Sequence, residues 1–157
     1  MDYLEAETKY IQGEKEVYAY REMGTESDVP LLMLPHLSAT MDNWDARFLN
    51  PIAKLRRVIV FDNQGIGSST GKVQKSIEDM AKGVSDFVQA LNIKRFDLLG
   101  LSMGGFVAQE YLAISPEKVR KLILAGTGPR GGVGISKVAR VTYQDMICLL
   151  YTSPSPR

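Results

Sequence analysis

The stretch Gly100-Leu101-Ser102-Met103-Gly104-Gly105 sets one hydroxyl among small residues, directly behind the apolar run Phe96-Asp97-Leu98-Leu99. Gly-x-Ser-x-Gly between a strand and a helix forces the serine into a tight, strained turn and projects its hydroxyl clear of the sheet. Side chains at Gly100 and Gly104 would block the close approach of the following helix to neighbouring strands. The pattern points to a nucleophilic Ser102. The competing reading is a glycine-rich turn with a bystander serine. A serine hydroxyl is a poor nucleophile without a base, and the base needs an orienting carboxylate. The chain has one histidine, His36, which precedes the serine. His36 is expected on a loop near the site and is not assigned as general base, since a base must reach the serine with its other nitrogen oriented. A modulating or substrate-contacting part stays open for it. Asp145 is the last acid and is not assigned to a triad.

The elements that must hold the serine follow from patterning. Residues 5–11 and 15–23 read as two strands joined at Gly13. The run 30–35 (Pro-Leu-Leu-Met-Leu-Pro) is continuously apolar, as in a strand buried on both faces, and 57–62 (Arg-Val-Ile-Val-Phe-Asp) reads the same way. A short helix is expected from Trp44 to Leu55. The clearest helix covers 77–92, where Ile77, Met80, Ala81, Val84, Phe87, Val88 and Leu91 follow a helical period behind a Ser76/Asp79 capping pattern. A strand over 95–99, a helix from Met103 to about Ile114 stopped by Pro116, and a strand over 119–125 complete the series. An initial hairpin followed by alternating strands and helices implies an α/β fold, with a mostly parallel sheet covered by helices on both faces. In such sheets functional loops gather at the carboxyl ends of the strands, where Ser102, the loop after residue 35 and the loop after Asp62 all fall.

Composition narrows the partners. Apolar residues make up 45% and charged residues 24% of 157, which marks a globular chain. The net charge of +1, with no clustered basic face, predicts no nucleic-acid partner and no anionic membrane. The single cysteine, Cys148, lies in the last ten residues, so disulfides, thiolate metal sites and cysteine catalysis are excluded for the rest. The start is acidic and lacks the basic and apolar regions of a signal peptide, and no apolar stretch approaches a bilayer span; a cytoplasmic location is expected. Gly126-Thr127-Gly128-Pro129-Arg130-Gly131 matches Gly-x-Gly-x-x-Gly but comes late and reads as loop, so no nucleotide cofactor is expected. Met33, Met41, Met103 and Met146 could line an apolar pocket, with core filling the better reading for Met33.

Three segments in order resemble the α/β-hydrolase superfamily, in particular its cofactor-free haloperoxidase and esterase-like branch. The resemblance covers residues from about 5 to 135. Pro35-His36-Leu37 followed by Trp44 occupies the place of the family's His-Gly-X and later Trp, with Pro35 for the histidine and His36 for the glycine. Asp62-Asn63-Gln64-Gly65-Ile66-Gly67-Ser68-Ser69 is similar to the turn Asp-x-Arg-Gly-x-Gly-x-Ser, with Gln64 where Arg is usual. Turn chemistry accounts for every residue in it, so a structural role is expected, with Asp62 and Ser69 satisfying backbone groups. The third segment is the elbow. The resemblance implies Ser102 as nucleophile and the backbone N–H groups of Leu37 and Met103 as oxyanion donors, with no cofactor and no metal. It disfavours dehalogenase and epoxide hydrolase chemistry, which place aspartate at the elbow. It also implies an acid and a histidine after the nucleophile, and no histidine follows Ser102.

The chain is therefore expected to be the amino-terminal part of one such domain, residues 1–147, with an incomplete fold that lacks the last strands and most of the cap. Residues 148–157 (Cys-Leu-Leu-Tyr-Thr-Ser-Pro-Ser-Pro-Arg) resemble the translation of a transposase-type sequencing adapter, TGT CTC TTA TAC ACA TCT CCG AGC CCA CGA, and are set apart as non-native. Strand 119–125 would then be an exposed apolar edge, and the chain by itself is expected to be poorly soluble or molten, and inactive. Two function classes follow. One is a serine hydrolase acting on a small carboxylic ester or related acyl compound; the other is a non-catalytic ligand-binding or signalling protein on the same fold. The expected partner is a small-molecule substrate.

Overall fold

The computed structural model describes residues 2–129 and 132. The chain divides into two units, Met1–Thr127 and Gly128–Arg157, and every element below lies in the first. Residues 148–157, Met146, Asp145 and the end of the Gly126–Gly131 motif lie outside the described residues.

Six strands form one sheet: β1 Lys9–Gln12, β2 Val17–Met23, β3 Leu31–Leu34, β4 Val58–Phe61, β5 Phe96–Leu101 and β6 Val119–Ala125. Their spatial order is β1-β2-β4-β3-β5-β6. β1 and β2 pair antiparallel and β2 joins β4 antiparallel, whereas β4, β3, β5 and β6 run parallel. The hairpin is shorter than the sequence predicts. Tyr3–Glu5 winds into a single 3-10 turn capped by the Asp2 carboxylate, and β1 starts only at Lys9.

Three helices connect the parallel strands: α1 Ala46–Ala53, α2 Ile77–Ala90 and α3 Met103–Ile114. The expected helix at Trp44 starts later, because Asp45 accepts from the Arg47 N–H as N-cap while Trp44 ends a 3-10 turn over Met41–Asn43. α2 begins where Ser76 predicts, with the serine oxygen accepting from the Asp79 N–H. β5 runs two residues past residue 99, so Gly100 and Leu101 are still paired with β6 when the chain reaches Ser102.

The apolar runs are buried on both faces, as their composition requires. Alternate residues split between two cores. Leu32, Leu34, Ile59, Phe61 and Leu98 pack with α2 and α3; Leu31, Met33, Val58, Val60 and Leu99 pack with α1 and the amino-terminal turn. Phe61 and Phe87 stack at 4.2 Å and fix α2 against the sheet. Met33 and Met41 are core residues.

At the amino end of β5, the buried Asp97 accepts from Arg56 at 2.7 Å and from Arg120 at 2.8 and 2.7 Å. Hydrogen bonding from Arg120, supported by Arg56 and opposed by burial, holds its carboxyl at about 2. Arg56, read from sequence as part of a helix end, is thus an anchor that ties α1's exit to β5 and β6. At the far edge β6 pairs with β5, and Ile123 and Leu124 are exposed, as expected for that strand. Among the described residues no helix is long and apolar enough to cross a membrane.

Candidate active site

The sheet order sets the location. From β3 the chain goes through α1 to β4 on one side, then through α2 back across to β5 on the other. The carboxyl ends of β3 and β5 therefore flank a topological switch point, the crevice where open α/β sheets bind ligands. Leu34 of β3 sits beside Gly100 of β5 in the register. Pro35-His36-Leu37 leaves one strand and Ser102 the other at the same sheet edge.

Ser102 stands at φ 54° and ψ −116°, a conformation that non-glycine residues hold only under strain. Two hydrogen bonds over-determine it. Its N–H donates to the Ala125 carbonyl of β6 at 2.9 Å, and its carbonyl accepts from the Gly105 N–H at 2.9 Å. Serine is a favoured N-cap residue, yet here its side chain makes no capping bond. The hydroxyl is thus left free at the head of a twelve-residue helix, where unpaired N–H groups concentrate positive potential.

The glycines allow this turn by removing bulk. A Cβ on Gly100 would lie 2.4 Å from the Gly104 carbonyl oxygen, and one on Gly104 would lie 2.3 Å from the Leu34 oxygen and 2.6 Å from the Pro35 oxygen. α3 thus starts against the backbone of both β5 and β3, the close approach that the sequence pattern implies. Met103 is the first residue of α3, and its N–H has no partner within the helix.

The loop after β3 is held at both ends. Asp62, buried at the end of β4, accepts from the Met41 N–H at 2.7 Å and from the Ser68 N–H at 2.8 Å. The Ser69 hydroxyl donates to the Asp62 carbonyl and accepts from the Ala19 N–H. Gly67, at φ 55°, lies so close to the Asp62 carboxylate that a Cβ would sit 2.1 Å from its Oδ2. The structural reading of this turn therefore holds. Thr40 and Asn43 add a capping box that closes the loop just before Trp44.

His36 and Leu37 are exposed. His36 Nδ1 lies 2.8 Å from the Leu37 carbonyl, which can only accept, so Nδ1 carries the proton. A cavity of about 120 Å³ opens beneath this loop, and both Leu37 and Met103 line it together with His36 and Gln64. Met80 and Gly83 of α2 line it as well. These last two were not read as site residues. A glycine in the middle of an otherwise strong helix was the available signal. A larger groove of about 930 Å³ lies near Gly24–Asp28 and Arg57, by the amino ends of β3 and β4, and Ser102 lines neither it nor the smaller cavity. Among the described residues no group of three His, Cys, Asp or Glu side chains converges as metal ligands do.

The sequence pattern of the alpha/beta hydrolase fold family matches residues 29–142. The chain belongs to that family. A solved alpha/beta hydrolase fold protein from Chitinophaga pinensis superposes with a TM-score of 0.86 at 37% identity, over 93% of this chain and 53% of the other. A relative from Mycobacterium tuberculosis, named as the non-heme bromoperoxidase BpoC, is 34% identical over 74 residues, 47% of this chain and 28% of its own length. A marine microorganism esterase superposes with a TM-score of 0.69 at 30% identity, over 86% of this chain and 51% of the other. The haloperoxidase and esterase-like resemblance thus agrees with the relatives found. The chain spans about half the length of these solved structures and less of the curated relative.

Proposed function

We propose that this member of the alpha/beta hydrolase family supplies the nucleophile and oxyanion-binding part of a serine hydrolase acting on a small carboxylic ester or related acyl compound. The observation that carries the reading is Ser102 itself. Its backbone is strained, pinned on both sides, and offers a hydroxyl that caps nothing at the head of α3. Strain of this kind costs about 1–3 kcal/mol, and a bystander serine would relax to cap the helix instead.

In this reading the Ser102 Oγ attacks the acyl carbon and gives up its proton to a base. The carbonyl oxygen takes the negative charge and is received by the N–H groups of Leu37 and Met103, near the positive end of α3. Each such donor contributes about 3 kcal/mol to the barrier lowering. The alcohol leaves protonated, and water then releases the acid from acyl-Ser102. His36 is not assigned as the base: it precedes the serine in the chain, and its Nδ1 is turned to the Leu37 carbonyl. The acid and the histidine are assigned to chain that follows residue 147 in the complete protein, in line with a chain half as long as its solved neighbours. The reaction as drawn needs neither metal nor cofactor. A small-molecule partner, rather than nucleic acid or an anionic membrane, goes with a net charge of +1, and a cytoplasmic location is part of this proposal.

The test is phosphonylation. The protein expressed from its complete gene is treated with an alkyl fluorophosphonate and digested. The adduct is expected on Ser102, with p-nitrophenyl ester turnover lost alongside, and Ser102→Ala is expected to give neither adduct nor turnover. The 157-residue chain alone is expected to react slowly or not at all. A complete protein that hydrolyses no ester and carries no adduct at Ser102 is instead a ligand-binding protein on this fold.

A further inference from the structure

The loop that carries Leu37 makes few bonds to the rest of the fold. Among the described residues, His36–Ala39 hydrogen-bond only to one another, from His36 Nδ1 to the Leu37 carbonyl and from the Ala39 N–H to the His36 carbonyl. The place of Leu37 therefore depends on the two ends of the loop. One end is β3. The other is Met41, a buried residue whose backbone is gripped from both sides. Its N–H donates to the Asp62 carboxylate at 2.7 Å, and its carbonyl accepts from the Tyr3 hydroxyl. Tyr3 is 1% exposed and comes from the amino-terminal 3-10 turn, 38 positions away in sequence. Other groups hold Tyr3 in turn. Its N–H donates to Asn50 Oδ1 of α1 at 2.8 Å, and Asn50 Nδ2 donates to Asp2 at 2.9 Å. The Arg21 guanidinium lies 5.5 Å from the centre of the Tyr3 ring and bonds Asp42, the residue after Met41, at 2.6 Å. Burial, opposed by Arg21, raises the pKa of the Tyr3 hydroxyl, which therefore stays protonated and a donor at neutral pH. Phenylalanine would fill the same space, so what tyrosine adds is the bond to Met41.

We propose that Tyr3 is a positioning residue for the oxyanion-binding loop: its hydroxyl fixes the Met41 carbonyl and, through the short span 37–41, sets where the Leu37 N–H stands relative to that of Met103. The inference rests on the reading of Leu37 and Met103 as oxyanion donors. Tyr3 itself touches no substrate. Without its hydroxyl the Met41 carbonyl is left buried and unsatisfied, and it turns towards water or another donor. The loop end turns with it and carries the Leu37 N–H out of place. Such a shift costs rate because the donor pair must already be aimed where charge develops.

The experiment compares the complete wild-type protein with Tyr3→Phe, Asn50→Ala and Val88→Ala. It reads kcat and KM for p-nitrophenyl acetate, the rate of Ser102 phosphonylation by a fluorophosphonate, the unfolding midpoint, and amide hydrogen exchange over residues 35–44. Tyr3→Phe is expected to lower kcat and the labelling rate about tenfold, between the roughly fivefold worth of one net hydrogen bond and the roughly hundredfold cost of a 1 Å misplacement. KM is expected to stay within about twofold, as for an interaction made only in the transition state. Exchange over 35–44 is expected to quicken while that of α2 is unchanged. Asn50→Ala frees the Tyr3 backbone without contacting the loop. A drop of about threefold in kcat is expected from it, and it decides the question if Tyr3→Phe does not fold. Val88→Ala opens the core on the α2 side of the sheet, so it is expected to lower the unfolding midpoint as much or more and to leave kcat unchanged. A folded Tyr3→Phe protein, or Asn50→Ala in its place, with wild-type kcat and labelling rate overturns the inference alone, as does a loss that Val88→Ala reproduces. Absence of the Ser102 adduct in the wild type overturns the parent reading and this inference with it.

Discussion

Gly104→Ala separates a glycine that the site needs from one that packing merely tolerates. The added methyl would lie 2.3 Å from the Leu34 oxygen and 2.6 Å from the Pro35 oxygen. Both are backbone atoms, one of the last residue of β3 and one of the residue after it, so neither can rotate away as a side chain would. Relief to the 3.0 Å below which Cβ atoms are essentially never found requires α3 and the end of β3 to part by about 0.7 Å. That displacement falls between Met103, the first residue of α3, and Leu37, three residues past β3. The two amides assigned to the oxyanion would thus move apart by a comparable amount. A misplacement of this order costs roughly a hundredfold in rate, whereas overpacking costs about 1–3 kcal/mol in stability. Gly83→Ala provides the contrast. Its Cβ meets nothing closer than 3.7 Å, so the variant is expected to gain about 0.5–1 kcal/mol from helix propensity. The assay is the second-order rate of Ser102 phosphonylation beside a denaturant midpoint, both in the complete protein. A folded Gly104→Ala protein that labels at the wild-type rate would falsify the claim that the β3–α3 contact sets the distance between the two donors.

Ser102→Gly is expected to abolish labelling while raising stability by about 1 kcal/mol, since glycine adopts φ 54° without strain but loses more chain entropy on folding. A drop in the unfolding midpoint would contradict the strained-turn reading. Asp97 has its folded pKa depressed from 3.8 to about 2 by its arginine partners, so its contribution is complete above about pH 4 and is lost as pH falls from there towards 2. The shift corresponds to about 2 kcal/mol, an upper figure because Arg56 and Arg120 are partly in water. Asp97→Asn is therefore expected to be destabilised at pH 7 and to show a shallower loss of stability between pH 4 and pH 2. An unchanged acid profile in urea titrations would rule this out.

Much of the architecture was legible because it depends on local pattern. The continuous apolar runs of β3 and β4 call for burial on both faces, the Ser76 oxygen caps α2 through the Asp79 N–H three residues on, and Pro116 follows the end of α3 because proline cannot continue a helix. Ser102 could be singled out for the same reason, since the glycines around it encode a turn that few other residues permit. The amino-terminal strand was read too long because Asp2 caps a 3-10 turn, a competing local bond that alternation of side chains does not reveal.

Tertiary structure decided what lies across the chain from those motifs. Residue types near Ser102 fixed a hydroxyl in a tight turn, but only the order β4-β3-β5 brings Leu37 and Met103 to one cavity, because parallel strands pair residues some 66 positions apart in sequence. Asp62 read as turn chemistry, and its reach to the Met41 N–H depends on two strand ends meeting at one edge. Asp97, inside an apolar run, and Arg56, beside a helix end, carried no sign of one another. Burial of a carboxylate demands a partner, and only the packed sheet determines which arginines are near enough to answer it.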